Sequence, residues 1–133
     1  MESWLKYTQT ANLLFQEQEW KLAECWYRRA LARACALYQF SPNEDKVVMA
    51  WIASFHNLAA LFHQQGEPEA QRIHLLNPYE NLFGRLTQDQ SCCDLSLLLK
   101  GMDLCIREIQ LYNSHSVTHP IHLLPLPSEE PCH

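Results

Sequence analysis

ANLLFQEQEWKLAECWYRRAL, residues Ala11–Leu31, decides the fold. Apolar side chains recur three and four positions apart on either side of Gln18-Glu19, so the stretch reads as two antiparallel helices joined by a tight turn. Working outward, the first helix covers about Glu2 to Gln18, with Trp4, Tyr7, Ala11, Leu14 and Phe15 on one face. The second runs from about Trp20 to Phe40. Its stripe is Ala23, Tyr27, Ala30, Leu31, Ala34 and Leu37, with Trp26 and Tyr38 flanking it. Small alanines let a neighbouring helix approach, and the aromatic rings fill the remaining gaps.

The same grammar recurs. Ser41 and Glu44 form a capping-box pattern with Pro42 at the first helical position, which predicts a third helix from there to about Gln65. Val48, Trp51, Ile52, Phe55, Leu58, Ala59 and Phe62 give it a broad buried face, and Gly66 suits a left-handed C-terminal cap. A fourth helix is expected over Pro68 to Gln88, with Ile73, Leu76, Leu82, Phe83 and Leu86 as its face. Pro78 should kink or split it near Asn77. Ser91 and Asp94 repeat the box logic before a fifth helix from about Cys92 to Asn113. Leu95, Leu98, Leu99, Met102, Ile106 and Ile109 make its first stripe. Leu97, Leu104 and Leu111, spaced by sevens, make a second. The helical period stops after Ser114, and the proline-rich remainder reads as extended or disordered. The expected organisation is a helical domain over 1–113 and a Pro/His-rich tail over 114–133.

Composition agrees with an all-α globular chain. Apolar residues make up 47% and charged residues 19%, and three glycines leave little room for sheet. A formal charge of −5 argues against a nucleic-acid binder. No apolar run approaches the roughly 18 residues that span a bilayer, so no membrane partner is expected. Met1-Glu2-Ser3-Trp4 opens directly into helix with no leader pattern, and the six cysteines include no CxxC. Cys25, Cys35 and Cys105 fall on or beside apolar stripes and read as packed free thiols in a reducing, cytoplasmic protein. Cys92-Cys93 lies near a helix start, which lowers a thiol pKa, but Asp89 and Asp94 oppose that.

Ala23, Tyr27 and Ala30-Leu31 carry the alanine, aromatic, alanine-leucine spacing of the second helix of a tetratricopeptide repeat. Asn57-Leu58-Ala59, Phe62 and Gly66 resemble the Asn-Leu-Gly, aromatic, Gly run of a first helix, with Ala59 in place of glycine. Ala70 follows one residue early for the next second-helix alanine. Over roughly Tyr7 to Leu86 the chain therefore resembles a degenerate, elongated tetratricopeptide-repeat protein, of the kind seen in small bacterial proteins of unknown function. Its helices exceed a 34-residue repeat, and Cys35 stands where a repeat-ending proline would be. The resemblance implies a right-handed stack of about five helices with a concave groove between helices one, three and five that binds peptide segments. Tyr7, Asn12, Asn57 and His63 are the candidate contacts. Thr8 and Ala53 stand where basic residues of a carboxylate clamp would help, which argues against capture of a C-terminal tail.

Candidate chemistry is sparse. His56 and His63 share a helix face seven residues apart, a spacing that suits polar-edge histidines better than a metal pair. His119, His122, Cys132 and His133 could gather a soft divalent ion in the tail, which supports an alternative reading as a small metal-responsive regulator. The carboxylates sit at turns, helix starts or the tail, and no nucleophile motif or Gly-rich phosphate loop accompanies them. No enzyme, cofactor or dedicated metal site is expected. Lys21, Arg28, Arg29 and Arg33 give helix two a basic side, read either as a solvated face paired locally with Glu24 or as a docking face for an acidic segment. Leu97, Leu104 and Leu111 form an apolar seam to be covered by a second subunit, another protein, the chain's own tail, or helix four. A homodimer through the last helix or tail is the corresponding expectation. The principal functional expectation is a non-enzymatic adaptor or chaperone-like module that holds a peptide segment or partner helix.

Overall fold

The computed structural model describes residues 1–88 and 94–115, His115 by its backbone alone. Within them the chain is all-α. The helices are α1 (Glu2–Gln16), α2 (Trp20–Phe40), α3 (Asp45–Gln64), α4 (Pro68–Gln88) and α5 (Leu95–His115). Among the described residues no helix is long and apolar enough to cross a membrane. The chain divides into two compact units, Met1–His74 and Leu75–His133. The tail is expected to begin at residue 114, but α5 carries on through Ser114 and His115; residues 116–133, Cys92-Cys93 and Ser91 lie outside the described residues.

The turns that close the two hairpins use one bonding pattern. After α1, the Gln18 N–H donates to the Phe15 carbonyl (3.0 Å) and the Glu19 N–H to Leu14 (2.9 Å). After α3, Gly66 donates to His63 (3.1 Å) and Glu67 to Phe62 (2.9 Å). Each is a Schellman-type ending, which needs a left-handed residue just past the helix. Gly66 fills that position at φ 70° without a Cβ, whereas Gln18 adopts φ 62° with one.

Two helix starts differ from the sequence expectation in the same way. Ser41 does not cap α3. Its carbonyl instead accepts from the Glu44 N–H (3.2 Å), closing a turn with Pro42 at the position whose φ proline presets. The helix then begins at Asp45, with Glu44 as N-cap. At α5 the cap is Asp94, whose Oδ1 accepts from the Leu97 N–H (3.2 Å). In both cases the acidic residue expected at the third helical position is itself the boundary.

Inside the first unit α2 packs against both α1 and α3, and α3 is the most deeply buried helix. Its expected face is buried in full, and Val47, Ala50, Ser54 and Leu61 extend it. Ala11, Ala23, Tyr27, Leu58, Leu61 and Phe62 form one cluster, with Leu14, Phe15, Trp20, Trp26 and Leu31 packed at its margin. Ala11, Ala23 and Leu58 have no exposure, so the alanines set the helix spacing as their size suggests. Further along α2 and α3, Tyr38 stacks on Trp51 at 4.1 Å between ring centroids. A Trp51 hydrogen bond favours the Cys35 thiolate, but burial outweighs it and raises the thiol pKa.

Pro78 lies inside α4 and the helix continues through it. Proline cannot donate to the carbonyl four residues back, here that of His74. The two compact units divide after His74, where that rung is missing. The buried face of α4 is Leu75, Leu76, Pro78, Tyr79 and Leu82, turned from the expected one: Ile73 is exposed, and Phe83 and Leu86 are half-buried. On α5 the buried stripe is Leu98, Met102, Cys105, Ile109 and Tyr112, while Leu95 and Leu99 are exposed.

Candidate functional site

The seam between α1 and α3 is built from residues of both periodic faces. Trp4 Nε1–H donates to Ser54 Oγ at 2.7 Å. The Ser54 hydroxyl in turn donates to the Ala50 carbonyl at 2.8 Å. A hydroxyl with 2% exposure is thereby used as acceptor and donor, which removes the cost of burying it. Further along, the buried Tyr27 reaches from α2 and donates to Asn12 Oδ1 at 2.5 Å. Asn12 follows Ala11 of the core cluster and is exposed. Asn57 stands three residues after Ser54 and four before Leu61, both on the α1 side of α3, and is half-buried. The helical period therefore sets Asn12 and Asn57 along the two borders of this seam.

The other expected contacts lie elsewhere. Tyr7 packs on Trp26 of α2 (centroids 5.8 Å apart), on the opposite flank of α1 from Asn12. His63 is exposed near the end of α3, about a third of a turn around the helix from Asn57. Leu97, Leu104 and Leu111 do not form one exposed seam: Leu97 is buried, Leu104 half-buried and Leu111 51% exposed. A seven-residue spacing drifts about 20° per step on a straight helix, so the row walks off the buried face. Helical period alone sets Asn12 and Asn57 beside this seam, whereas Tyr7 packs on α2 and Leu97, Leu104 and Leu111 lie on α5.

Between its buried faces α3 keeps one solvent-facing strip. Lys46, Ala60, His63 and Gln64 are exposed, and Met49, Ala53, His56 and Asn57 are half-buried. Ala53 and Ala60 sit near its middle, so the strip is shallow and the helix surface is within reach of another chain's side chains. On α1, Leu5, Gln9, Asn12 and Gln16 form an exposed row beside the seam, and Leu13 is 62% exposed. His56 borders the strip with its Nε2 enclosed and without a hydrogen-bond partner. Burial lowers its pKa from 6.5 to about 4, so the ring is neutral at physiological pH.

Sequence reasoning missed the Trp4–Ser54 bond, for which the chain offers only an indole near one helix start and a serine on an apolar face. It also missed that Cys25 is exposed and that Arg29 covers the Trp26 ring at 4.7 Å. The i, i+3 spacing of that last pair was the available signal. Arg28 pairs with Glu24 at 2.9 Å, as expected, and also lies 5.7 Å from the Phe62 ring centre. Cys105 is fully buried, and its thiol pKa is pushed up to about 12 by burial, with Glu108 adding to the effect. Such a thiol stays protonated and inert. Among the described residues, no group of three or more His, Cys, Asp or Glu side chains is placed to hold a metal ion. The tail residues His119, His122, Cys132 and His133 lie outside the described residues.

A family model described as "Protein of unknown function (DUF2753)" matches residues 2–120. The chain belongs to that family. No curated protein and no solved structure matches it.

Proposed function

We propose that this member of the DUF2753 family is a non-enzymatic, cytoplasmic interaction module of tetratricopeptide-like design. It holds a peptide segment or partner helix along the α1–α3 seam. The observation that carries the reading is the exposed strip of α3: an otherwise enclosed helix leaves open a line with alanines in the middle and an asparagine on its border. Small residues let a partner's side chains rest against the helix. Asn57 supplies a whole amide and Asn12, whose Oδ1 already accepts from Tyr27, its Nδ2 donor for an extended backbone, and Leu5 and Leu13 add apolar surface on α1. In the same reading, Leu95, Leu99 and Leu111 of α5 are the apolar positions through which a second copy would attach.

The test is selection of binding peptides from a random library against the full chain, followed by affinity measurement on Ala60→Arg. Ala60 is exposed, so the substitution leaves melting unchanged while a long charged side chain covers the strip. Selected peptides should bind Ala60→Arg at least about tenfold more weakly. Peptides that bind both proteins equally would remove the seam from consideration.

A further inference from the structure

The outer face of α2 has a construction of its own, independent of the α1–α3 seam. Ala23, Tyr27, Ala30 and Ala34 are its buried side. Diametrically opposite lie Cys25 and Ala32, both exposed and two turns apart. Long cationic side chains stand on both sides of this small-residue line. Lys21 and Arg28 form one row, and Arg29 and Arg33 form the other, joined by Leu22, which is 52% exposed. The face is therefore a shallow trough with positive walls.

Four of the chain's ten basic residues stand on this one helix, in a chain whose formal charge is −5. Among the described residues, only Arg28 of the four has a carboxylate partner, Glu24. On the second wall, Tyr7, Trp26 and Arg29 make a ladder, with 5.8 Å between the two rings and 4.7 Å from the indole to the guanidinium. The indole contact restrains the Arg29 guanidinium, whose fork suits bidentate contact with a carboxylate. Leu22 supplies an apolar contact beside it. Charge rows on both walls, a narrow floor and one apolar anchor fit an extended or helical segment that carries carboxylates around a central apolar residue.

We propose that the outer face of α2 is a second docking surface, for an acidic protein segment, with Arg29 and Arg33 as its principal contacts and Leu22 as its apolar anchor. Cys25 lies on the floor of the trough and reports occupancy. The probe is a synthetic peptide of about fifteen residues, rich in Glu and Asp around a central Leu-Phe pair. Its control carries Gln and Asn at every acidic position. On the full, reduced chain the acidic peptide should slow N-ethylmaleimide alkylation of Cys25 by about tenfold at saturation, and the control should not. Amide shifts in a heteronuclear NMR titration should concentrate between residues 21 and 33. The exposed pair Arg29→Gln with Arg33→Gln should weaken the peptide at least about tenfold without loss of helix, and the loss should shrink as salt is raised. Equal protection by both peptides, or unchanged affinity in the double variant, overturns the proposal. So does tighter protection of Cys25 by polyuridylate than by the acidic peptide, which would make the face a nucleic-acid surface.

Discussion

Mild acid should destabilise this chain through His56. The ring's Nε2 is enclosed without a partner, and its pKa falls from 6.5 to about 4 because burial penalises the charged form. Unfolding returns the ring to water and to its ordinary value. Well above pH 6.5 both states hold the ring neutral, and His56 contributes no pH dependence. Between about 6.5 and about 4 the unfolded chain carries a proton that the folded chain refuses, so stability falls as pH falls. The slope approaches about 1.4 kcal/mol per pH unit, and from about pH 7.5 to about pH 5 the loss sums to about 2 kcal/mol. That is a large share of the roughly 5–15 kcal/mol that holds a domain folded.

The assay is urea unfolding followed by helical circular dichroism, for the natural chain and for His56→Leu, at a series of pH values across that window. Leucine fills similar space, does not titrate and leaves no enclosed nitrogen. Carboxylates that protonate toward the lower end are common to both proteins and cancel in the difference. The natural chain should lose about 2 kcal/mol more than the variant over the window, and the variant should be at least as stable near neutrality. Parallel pH profiles for the two proteins would refute the reasoning, because the ring would then be free to take its proton in the folded state.

Other substitutions separate local causes. Gln18→Gly should stabilise by roughly 0.5–1 kcal/mol, because it places the residue without a Cβ at φ 62°. Gly66→Ala should cost about 1 kcal/mol or more, from backbone strain alone, since an added Cβ meets nothing within 4 Å. Thermal or urea unfolding reads both, and effects of equal sign would contradict the shared turn geometry. On α5, Leu98→Ala should cost roughly 3 kcal/mol and Leu111→Ala less than about 1 kcal/mol, following their 1% and 51% exposures. Comparable losses at the two positions would mean that Leu111 is covered in solution, as a dimer contact would require.

How far the chain could be read in advance depends on which physical signal each feature leaves. Helix number and type were legible because apolar periodicity averages over many residues, and α2 and α4 span the expected residues. Helix starts were less legible. Ser41-Pro-Asn-Glu suits a capping box and a proline turn equally well at the level of composition, and only the Ser41 carbonyl to Glu44 N–H bond distinguishes them. The faces of α4 and α5 were misplaced by a fraction of a turn. Leu, Ile and Phe counted as buried by type, whereas Pro78 and Cys105 are buried and Ile73, Leu95 and Leu99 are not. The sevenfold leucine row looked like a seam because spacing was judged without drift, which three positions suffice to expose.

The surface was legible only where residue type and helical period act together. Asn12 and Asn57 could be set beside the seam because each sits one step off an apolar stripe, and a residue one step off a stripe lies at the border of a helix pair. Tyr7 also lies beside that stripe, but on its other flank, and period alone does not say which neighbour an edge residue meets; Trp26 decides it. The basic side of α2 was visible as charge and remained ambiguous, since a solvated face and a docking face have the same composition. The arrangement favours the docking reading proposed above. A merely solvated face needs neither unpaired arginines set around a floor of Cys25 and Ala32 nor a guanidinium held on an indole. Arg33 stands exposed without a carboxylate partner among the described residues, and Arg29 is restrained on the Trp26 ring while its donors face water. The trough gives that arrangement a purpose if a carboxylate-bearing segment lies in it, and the Cys25 protection experiment is the direct way to see one there.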